Sequence, residues 1–362
     1  MMKPRSLLRA GGLALLLTLT FVNAWEAYWR SQGLQLSYND DEPLWAHNRQ
    51  RIYQSSPAAP VIIGSSRSKF GIDLATWQGI TGGAPTQLAL VGTSPRPVLK
   101  DLADDPDFKG AVLVDVTEFL FFTPGGSPLE KSALSSLKFY PDWSLAQRAS
   151  FQVNTVLESN LLFLDEEKLA LRFLIDRMGV PNRPGVFVMP PVFPMKFTIN
   201  DFNRQTFITD DFVADTAMQN EVKRVWYNLL TNAPKMPMTD STLTQIIAEV
   251  KACVAKIHAR GGKVAFVRMP STGAFRDIER QAFPRKKYWD RLIRETGAPG
   301  IHFEDYPSLA GYPCIEWSHL APAEARKFTR DLMPLLAQQA GWSLGAVSDQ
   351  TAALPSSTSN SR

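Results

Sequence analysis

Three short apolar runs, each followed by a polar turn and a helix-like segment, constrain the fold of this chain more than any other feature. They cover residues 61–63, 86–92 and 110–116. A run that is apolar at every position is typical of a strand covered on both faces of a sheet. Because such strands alternate with helices here, the sequence predicts an α/β fold around a parallel sheet.

The same alternation returns near the end of the chain. Apolar residues at helical spacing predict a helix over 242–260, which Gly261 and Gly262 would end. Strands are predicted over 263–268 and 301–306, and a closing helix over 322–340.

The segment between these two parts, residues 119–240, does not keep the alternation. It is rich in Phe, Asn, Pro and Met, with a predicted helix over 161–178 and a Pro-rich loop over 180–194. It is too long for an ordinary connection between elements. We interpret it as a large helical and irregular insertion that caps the site, whose aromatic side chains form a core of their own or line a substrate groove.

The N-terminus carries an export signal. Lys3, Arg5 and Arg9 precede an apolar run over 10–22, and aromatic residues follow it. Positive charge before the run favours a cytoplasmic N-terminus and an exported remainder. Two interpretations stay open: a retained signal anchor, favoured because the aromatic residues extend the apolar face, or a signal peptide cleaved near Ala24. The predicted location is the inner membrane, single-pass with a periplasmic domain, or the soluble periplasm after cleavage.

The predicted organisation has four parts. Residues 1–30 form the signal anchor or signal peptide, and 31–57 a connecting segment. Residues 58–342 form one α/β domain, with its core in 58–118 and 241–342. Residues 343–362 have the composition of a disordered tail.

Charge and cysteine content limit the classes of partner. The chain has 39 basic and 35 acidic residues and no block of like charge, which argues against nucleic acid as a partner. No spacing of Cys and His indicates a metal site, and no cofactor is predicted. Cys253 and Cys314 are the only cysteines. Export would permit a disulfide between them, and two buried free thiols are the alternative.

Chemistry-bearing residues lie after the first strand and before the last helix. Gly64-Ser65-Ser66 follows the run 61–63, at the carboxyl end where open α/β sheets place their ligands. Ser66 is the predicted nucleophile and Ser65 the alternative. Far along the chain, Glu316 precedes His319 by three residues, so its carboxylate can orient the imidazole. The set predicts acyl-transfer chemistry with a Ser-His-Glu triad.

These motifs resemble the SGNH (GDSL-type) hydrolase superfamily, whose first block is Gly-Asp-Ser and whose last is Asp-x-x-His. The resemblance is closest to membrane-anchored envelope members with Gly-Ser-Ser, such as D-alanyl transfer proteins of teichoic acid. It implies an SGNH/flavodoxin-like three-layer sandwich, with Ser66 as nucleophile, His319 as base and Glu316 as acid. It also implies an oxyanion hole formed by the Ser66 backbone N–H and Gly92. The Gly-x-Asn-Asp block of the family has no counterpart, and residues 115–118 occupy the expected stretch.

Three further residues are weaker candidates for binding substrate. Arg67 and Arg268 lie near the carboxyl ends of strands, where a guanidinium could hold an anionic group. Thr93 follows Gly92 and could add a hydroxyl donor.

The resemblance and the export signal together imply an exported serine esterase or acyltransferase. Its substrate would be O-acyl groups, acetyl foremost, of an envelope or exported polysaccharide, with a membrane-embedded acyl-transfer partner. Two alternatives remain at this stage. One is a catalytically degenerate domain that binds polysaccharide or serves envelope assembly, and the other is a lipid or thioester hydrolase.

Overall fold

The fold is built on a five-stranded parallel sheet with strand order β2-β1-β3-β6-β7. The computed structural model describes residues 4–54, 59–177, 193–232 and 238–342. A separate antiparallel hairpin, β4-β5, lies in the insertion. The strands are β1 Val61–Ile63, β2 Thr86–Gln87, β3 Ala111–Asp115, β4 Thr198–Asn200, β5 Thr206–Ile208, β6 Lys263–Arg268 and β7 Gly300–His302.

Helices surround the sheet and form the insertion. Before and within the first half of the sheet they are α1 Pro4–Ser31, α2 Glu42–Arg51, α3 Ser66–Gly71, α4 Leu74–Thr81 and α5 Arg96–Asp104. The insertion adds α6 Glu118–Phe121, α7 Lys131–Phe139, α8 Leu145–Glu158, α9 Glu166–Leu169, α10 Leu171–Arg177, α11 Asp210–Ala214 and α12 Thr216–Asn232. The second half contains α13 Asp240–Ala259, α14 Gly273–Ala282, α15 Trp289–Thr296, α16 Pro307–Ala310 and α17 Pro322–Ala340. Three 3-10 turns cover Pro128–Glu130, Leu162–Leu164 and Phe303–Asp305.

Side chains of the central strands alternate between two hydrophobic clusters. In β1, Val61 and Ile63 pack with α5, α13 and α15, whereas Ile62 packs on the opposite face with α4 and α17. β3 and β6 divide their side chains in the same way. Because successive side chains of a strand point to opposite faces, an all-apolar strand needs helices on both sides. The α/β prediction with a central parallel sheet is confirmed, and the arrangement is compatible with a three-layer sandwich.

The predicted boundaries agree with the structure for two elements in the second half of the chain. The strand over 263–268 and the helix over 322–340 occur as predicted. The run 86–92 forms a ladder strand only at Thr86–Gln87, although the Leu88 and Leu90 N–H groups still donate to Ile62 and Gly64. The strand predicted over 301–306 ends at His302, where the His302 ring accepts from the Glu304 N–H and starts a 3-10 turn.

The single helix predicted over 161–178 is instead three short elements. A 3-10 turn ends before Asp165, whose carboxylate accepts from the Lys168 N–H and starts α9, and α10 follows. An aspartate that caps a new helix in this way interrupts the preceding one. Most of the predicted Pro-rich loop, and the predicted tail over 343–362, lie outside the described residues.

The two cysteines are free and lie on opposite sides of the sheet. Cys314 belongs to the cluster that contains Ile62, and Cys253 packs against the cluster that contains Val61. A sheet therefore separates the two thiols, which excludes the disulfide that the sequence left open.

Candidate functional site

The turn after β1 is built around Gly64 because a neighbouring strand leaves no room there. A Cβ on Gly64 would lie 2.5 Å from the Cβ of Asp115, the last residue of β3. The next residue, Ser65, is the N-cap of α3, and its hydroxyl accepts from the Arg67 N–H. Glycine and serine at these positions therefore follow from close strand packing and from helix capping.

The structure separates the roles of the two serines. The Ser65 hydroxyl is buried, donates to Asp115 Oδ2 over 2.8 Å and lies 2.8 Å from Thr117 Oγ1. The Ser65 N–H also donates to Asp115, whose pKa burial raises. Ser66 is partly exposed and lines a cavity. Ser66 is thus the serine whose hydroxyl can meet a substrate, whereas Ser65 holds the turn.

His319 and Glu316 form a buried pair. His319 Nδ1 lies 2.8 Å from Glu316 Oε1, and the His319 N–H donates to the same oxygen over 2.6 Å. Both side chains are almost completely buried. His319 Nε2 has no hydrogen-bond partner among the described residues. A carboxylate on Nδ1 and a free Nε2 is the arrangement required of a general base.

An unusual backbone turn brings the acid to the histidine. Trp317 has φ of 79°, a left-handed conformation that is rare for a residue with a bulky side chain. Its carbonyl accepts from the Thr272 N–H, and Cys314 pairs with Leu320 across the loop. Strained backbone of this kind concentrates at functional sites. The three-residue spacing seen in the sequence works because Trp317 folds the chain back.

A side chain of the insertion also binds the carboxylate of this pair. Trp226, on α12, donates from Nε1 to Glu316 Oε2. Its ring centroid lies 5.8 Å from that of His319. Both carboxylate oxygens of Glu316 are therefore engaged, one by His319 and one by Trp226. No sequence pattern indicates this contact, because the two residues are 90 positions apart and no motif marks α12.

Helix α3 carries both Ser66 and a ring that stacks on His319. The His319 ring stacks on Phe70 with a centroid separation of 4.2 Å and an interplanar angle of 24°. Phe70 follows Ser66 by four residues in the same helix, so the two side chains lie on one face. Ser66, Phe70 and His319 all line the same cavity. The predicted nucleophile and base therefore share one pocket.

That cavity has a volume of about 430 Å³ and two kinds of wall. The insertion supplies aromatic side chains that include Phe173, Phe193, Phe197 and Trp226. Polar side chains such as Asn200 and Thr206 line other parts of it. Aromatic faces combined with placed polar groups are usual in small-molecule sites. The insertion therefore supplies part of the lining of this cavity, and its role as a cap stays a prediction.

At the wall of the cavity, two cationic side chains share one carboxylate. Lys69 on α3 is buried and pairs with Asp40, which also accepts from Arg204 of the insertion. Burial is the largest influence on Lys69 and lowers its pKa. Arg204 in addition donates to the Gln87 and Ala89 carbonyls over 2.8 and 3.0 Å. This network fastens the insertion to β2 beside Ser66.

Neither Gly92 nor Thr93 lines the cavity with Ser66. Gly92 has φ of 62° and follows Val91, which lines the cavity. The Thr93 hydroxyl is turned inward and donates to the Val91 carbonyl over 2.9 Å, so it closes the turn. Asp115 stands where the resemblance would place an asparagine block, and it binds Ser65. The role of the Gly92 N–H as an oxyanion donor stays a prediction.

The two arginines that the sequence offered as substrate ligands are engaged elsewhere. Arg268 is fully buried and binds both oxygens of Glu118 over 3.0 Å, and it also pairs with Glu279. The Arg67 guanidinium lies 2.7 Å from Glu279 and over the ring of Phe275. Arg67 Nε also donates to Ser318 Oγ over 3.4 Å, so these buried pairs support both α3 and the 314–320 loop. Neither guanidinium lines the cavity with Ser66.

No group of three or more His, Cys, Asp or Glu side chains suited to a metal ion occurs within the described ranges. Comparison with known proteins adds no family: no family model matches the sequence, and no curated protein is significantly similar to it.

Proposed function

We propose that the chain is an exported serine O-acyl esterase or acyltransferase of the SGNH type. The observation that carries the proposal is the buried His319–Glu316 pair, whose unpartnered Nε2 accompanies Ser66 in one cavity. Its substrate class is O-acyl groups, acetyl foremost, on an envelope or exported polysaccharide. A membrane-embedded partner would supply acyl groups if the reaction is a transfer.

The proposed reaction has two halves. Ser66 Oγ attacks the acyl carbonyl carbon while His319 Nε2 takes the hydroxyl proton. The oxyanion is stabilised by backbone N–H groups at Ser66 and Gly92. His319 then returns the proton to the leaving alcohol, and an acyl-Ser66 ester remains. Water, or a sugar hydroxyl in a transfer, attacks this ester in the same way and regenerates Ser66.

The proposed location is the inner membrane, with the domain on the periplasmic side. Residues Leu7–Ser31 of α1 are long and apolar enough to cross a membrane. Basic residues at the start of the chain favour a cytoplasmic N-terminus.

The test is covalent labelling of the full chain in detergent with a fluorophosphonate probe, together with hydrolysis of p-nitrophenyl esters of increasing acyl length. We expect wild type to be labelled and Ser66→Ala to lose both labelling and hydrolysis. Ser132→Ala is the matched control, because Ser132 lines the same cavity and takes no part in the proposed chemistry. It should retain labelling.

The acyl-length profile separates the enzymatic alternatives. Preference for acetyl supports action on a polysaccharide, and preference for long chains supports a lipid or thioester hydrolase. Folded wild type that is neither labelled nor active would contradict the proposal and favour a binding or scaffold role.

A further inference from the structure

Helix α8 turns its large aliphatic side chains away from the protein. Within its 14 residues only Phe151 is buried. Its large aliphatic residues face outward, and Leu145 and Val156 expose 84% and 63% of their surface. An isolated helix of this length is marginal in water, and a surface helix of a globular protein normally turns its apolar stripe to the core.

The exposed aliphatic residues of α8 form one stripe. At 3.6 residues per turn, Leu145, Val153, Val156 and Leu157 fall within an arc of about 120°, with Phe151 on the opposite side. The face toward the protein is polar instead. It lines a small cavity of about 140 Å³ with Gln147, Ser150, Asn154, Thr155 and Glu158.

Helix α10 repeats the pattern beside the active-site cavity. Phe173 and Arg177 line that cavity. Leu171 and Ile175, on the opposite side of the same helix, are exposed by 72% and 43%. One wall of the cavity therefore presents an apolar outer surface.

The end of α1 is fastened to the segment that joins these two helices. Arg30 donates to the Asn160 carbonyl over 2.8 Å. Glu26 accepts from the Leu162 and Phe163 N–H groups over 3.0 Å. Trp29 packs in a cluster with Leu162 and Leu169. A helix that can cross a membrane thus ends where α8 ends and shortly before α10 begins.

We propose that α8 and α10 rest on the bilayer, with the stripe Leu145, Val153, Val156 and Leu157 and the pair Leu171 and Ile175 in the lipid interface beside α1. The occupant is lipid because both surfaces adjoin the end of the membrane-spanning candidate. A helix with an aliphatic outer face and a polar inner face is what an interfacial helix requires. The wall of the active-site cavity then lies at the membrane surface. This inference rests on the proposed insertion of α1.

The test uses the full chain reconstituted into vesicles of phosphatidylethanolamine and phosphatidylglycerol. Nitroxide labels are placed singly by Val156→Cys and Leu171→Cys in a Cys253→Ala background. Cys314 stays in place because it is buried, and burial raises the pKa of its thiol. Collision with oxygen, which concentrates in lipid, is compared with collision with a water-soluble nickel complex.

We expect labels at 156 and 171 to lie about 5–10 Å below the lipid phosphates. Two controls should stay in water: Asn154→Cys on the polar side of α8, and Lys251→Cys on α13, which packs against α5 and α15. Labels at 156 and 171 that match Lys251→Cys in vesicles containing the protein would overturn the inference while leaving α1 insertion intact. Spin–spin broadening at 156 would also overturn it, in favour of a second copy of the chain. Failure of the chain to float with vesicles would overturn both the inference and α1 insertion, while the labelling test of Ser66 stands apart from either result.

Discussion

At the scale of single residues, the site depends on which polar atoms are already satisfied. Ser65 and Ser66 are neighbours of the same type, but Asp115 and Thr117 hold only Ser65. His319 and Glu316 were predictable from their spacing before a helix. Their partner Trp226 was not predictable. Its contact with Glu316 joins segments that are distant in the sequence and leaves no local pattern in α12.

Replacement of Trp226 by Phe tests its role as a positioning residue. The variant keeps a ring against His319 and removes the donor to Glu316 Oε2, which leaves a buried carboxylate oxygen unsatisfied at a cost of about 1–3 kcal/mol. We expect kcat/KM for acetyl esters to fall about 10-fold, equivalent to about 1.4 kcal/mol.

Steady-state kinetics with acetyl esters measure kcat and KM for the variant and for wild type. Tyr227→Phe is the control, because its side chain is exposed on the same helix. An unchanged kcat/KM in Trp226→Phe would show that the hydrogen bond has no catalytic role.

At the scale of elements, the candidate site is a set of short segments that are held in place by contacts with other parts of the fold. Helix α3 has only six residues, and the 314–320 loop contains a left-handed Trp317. One buried charge cluster and one close contact hold them in place. The cluster is Glu279 with Arg67 and Arg268, and the contact is that of the Trp317 ring with Gly273.

Gly273→Ala should disturb the site loop. Gly273 has φ of 56°, and a Cβ there would lie 2.5 Å from Trp317 Nε1. We expect the free energy of unfolding to fall by about 1–3 kcal/mol, with weaker probe labelling of Ser66. Gly79→Ala is the matched control, because Gly79 lies within α4 and a Cβ meets nothing within 4 Å. It should stabilise the fold by about 0.5–1 kcal/mol in urea unfolding. Equal effects of the two substitutions would contradict this account.

The charge cluster predicts a loss of stability in acid. Burial alone would raise the pKa of Glu279, but Arg268 and Arg67 outweigh it and lower the pKa to about 2, from an ordinary value of 4.5. The unfolded chain therefore binds the proton more readily. The stability that Glu279 contributes is present above pH 4.5 and is lost as the pH falls toward 2.

Glu279→Gln should reduce the dependence of the free energy of unfolding on pH. At pH 7 it should be less stable by about 3–5 kcal/mol, because two buried guanidinium groups lose a partner. Urea unfolding from pH 2.5 to 7 gives both quantities. Glu304→Gln is the comparison: the pKa of Glu304 is also lowered to about 2, but its side chain is partly exposed, so a smaller loss is expected at pH 7. Equal losses would show that burial does not set the cost.

At the scale of the whole molecule, the end of the N-terminal helix is docked on the domain. Helix α1 continues through Ala24, where the sequence allowed a cleavage site, and Glu26, Trp29 and Arg30 pack on the segment 160–169. Cleavage after Ala24 would leave Glu26, Trp29 and Arg30 docked on the domain but would remove most of helix α1.

We therefore expect the mature protein to retain its N-terminus. Mass spectrometry of the chain purified from membranes should give the intact N-terminal peptide, and alkaline carbonate should leave the protein in the membrane fraction. A mature chain that begins after Ala24 and washes free in carbonate would establish the soluble alternative.

The sequence by itself determined the parallel α/β class, the strand over 263–268, the long helix over 322–340 and the Gly-Ser-Ser and Glu-x-x-His motifs of the candidate site. These features depend on local periodicity and on motifs that span a few residues. The tertiary structure alone decided that Ser66 rather than Ser65 faces the cavity and that Arg67 and Arg268 pair with glutamates. It also decided that the insertion supplies a donor to Glu316. Each of these outcomes depends on which distant side chain satisfies a buried polar atom, and only packing of the whole chain sets that.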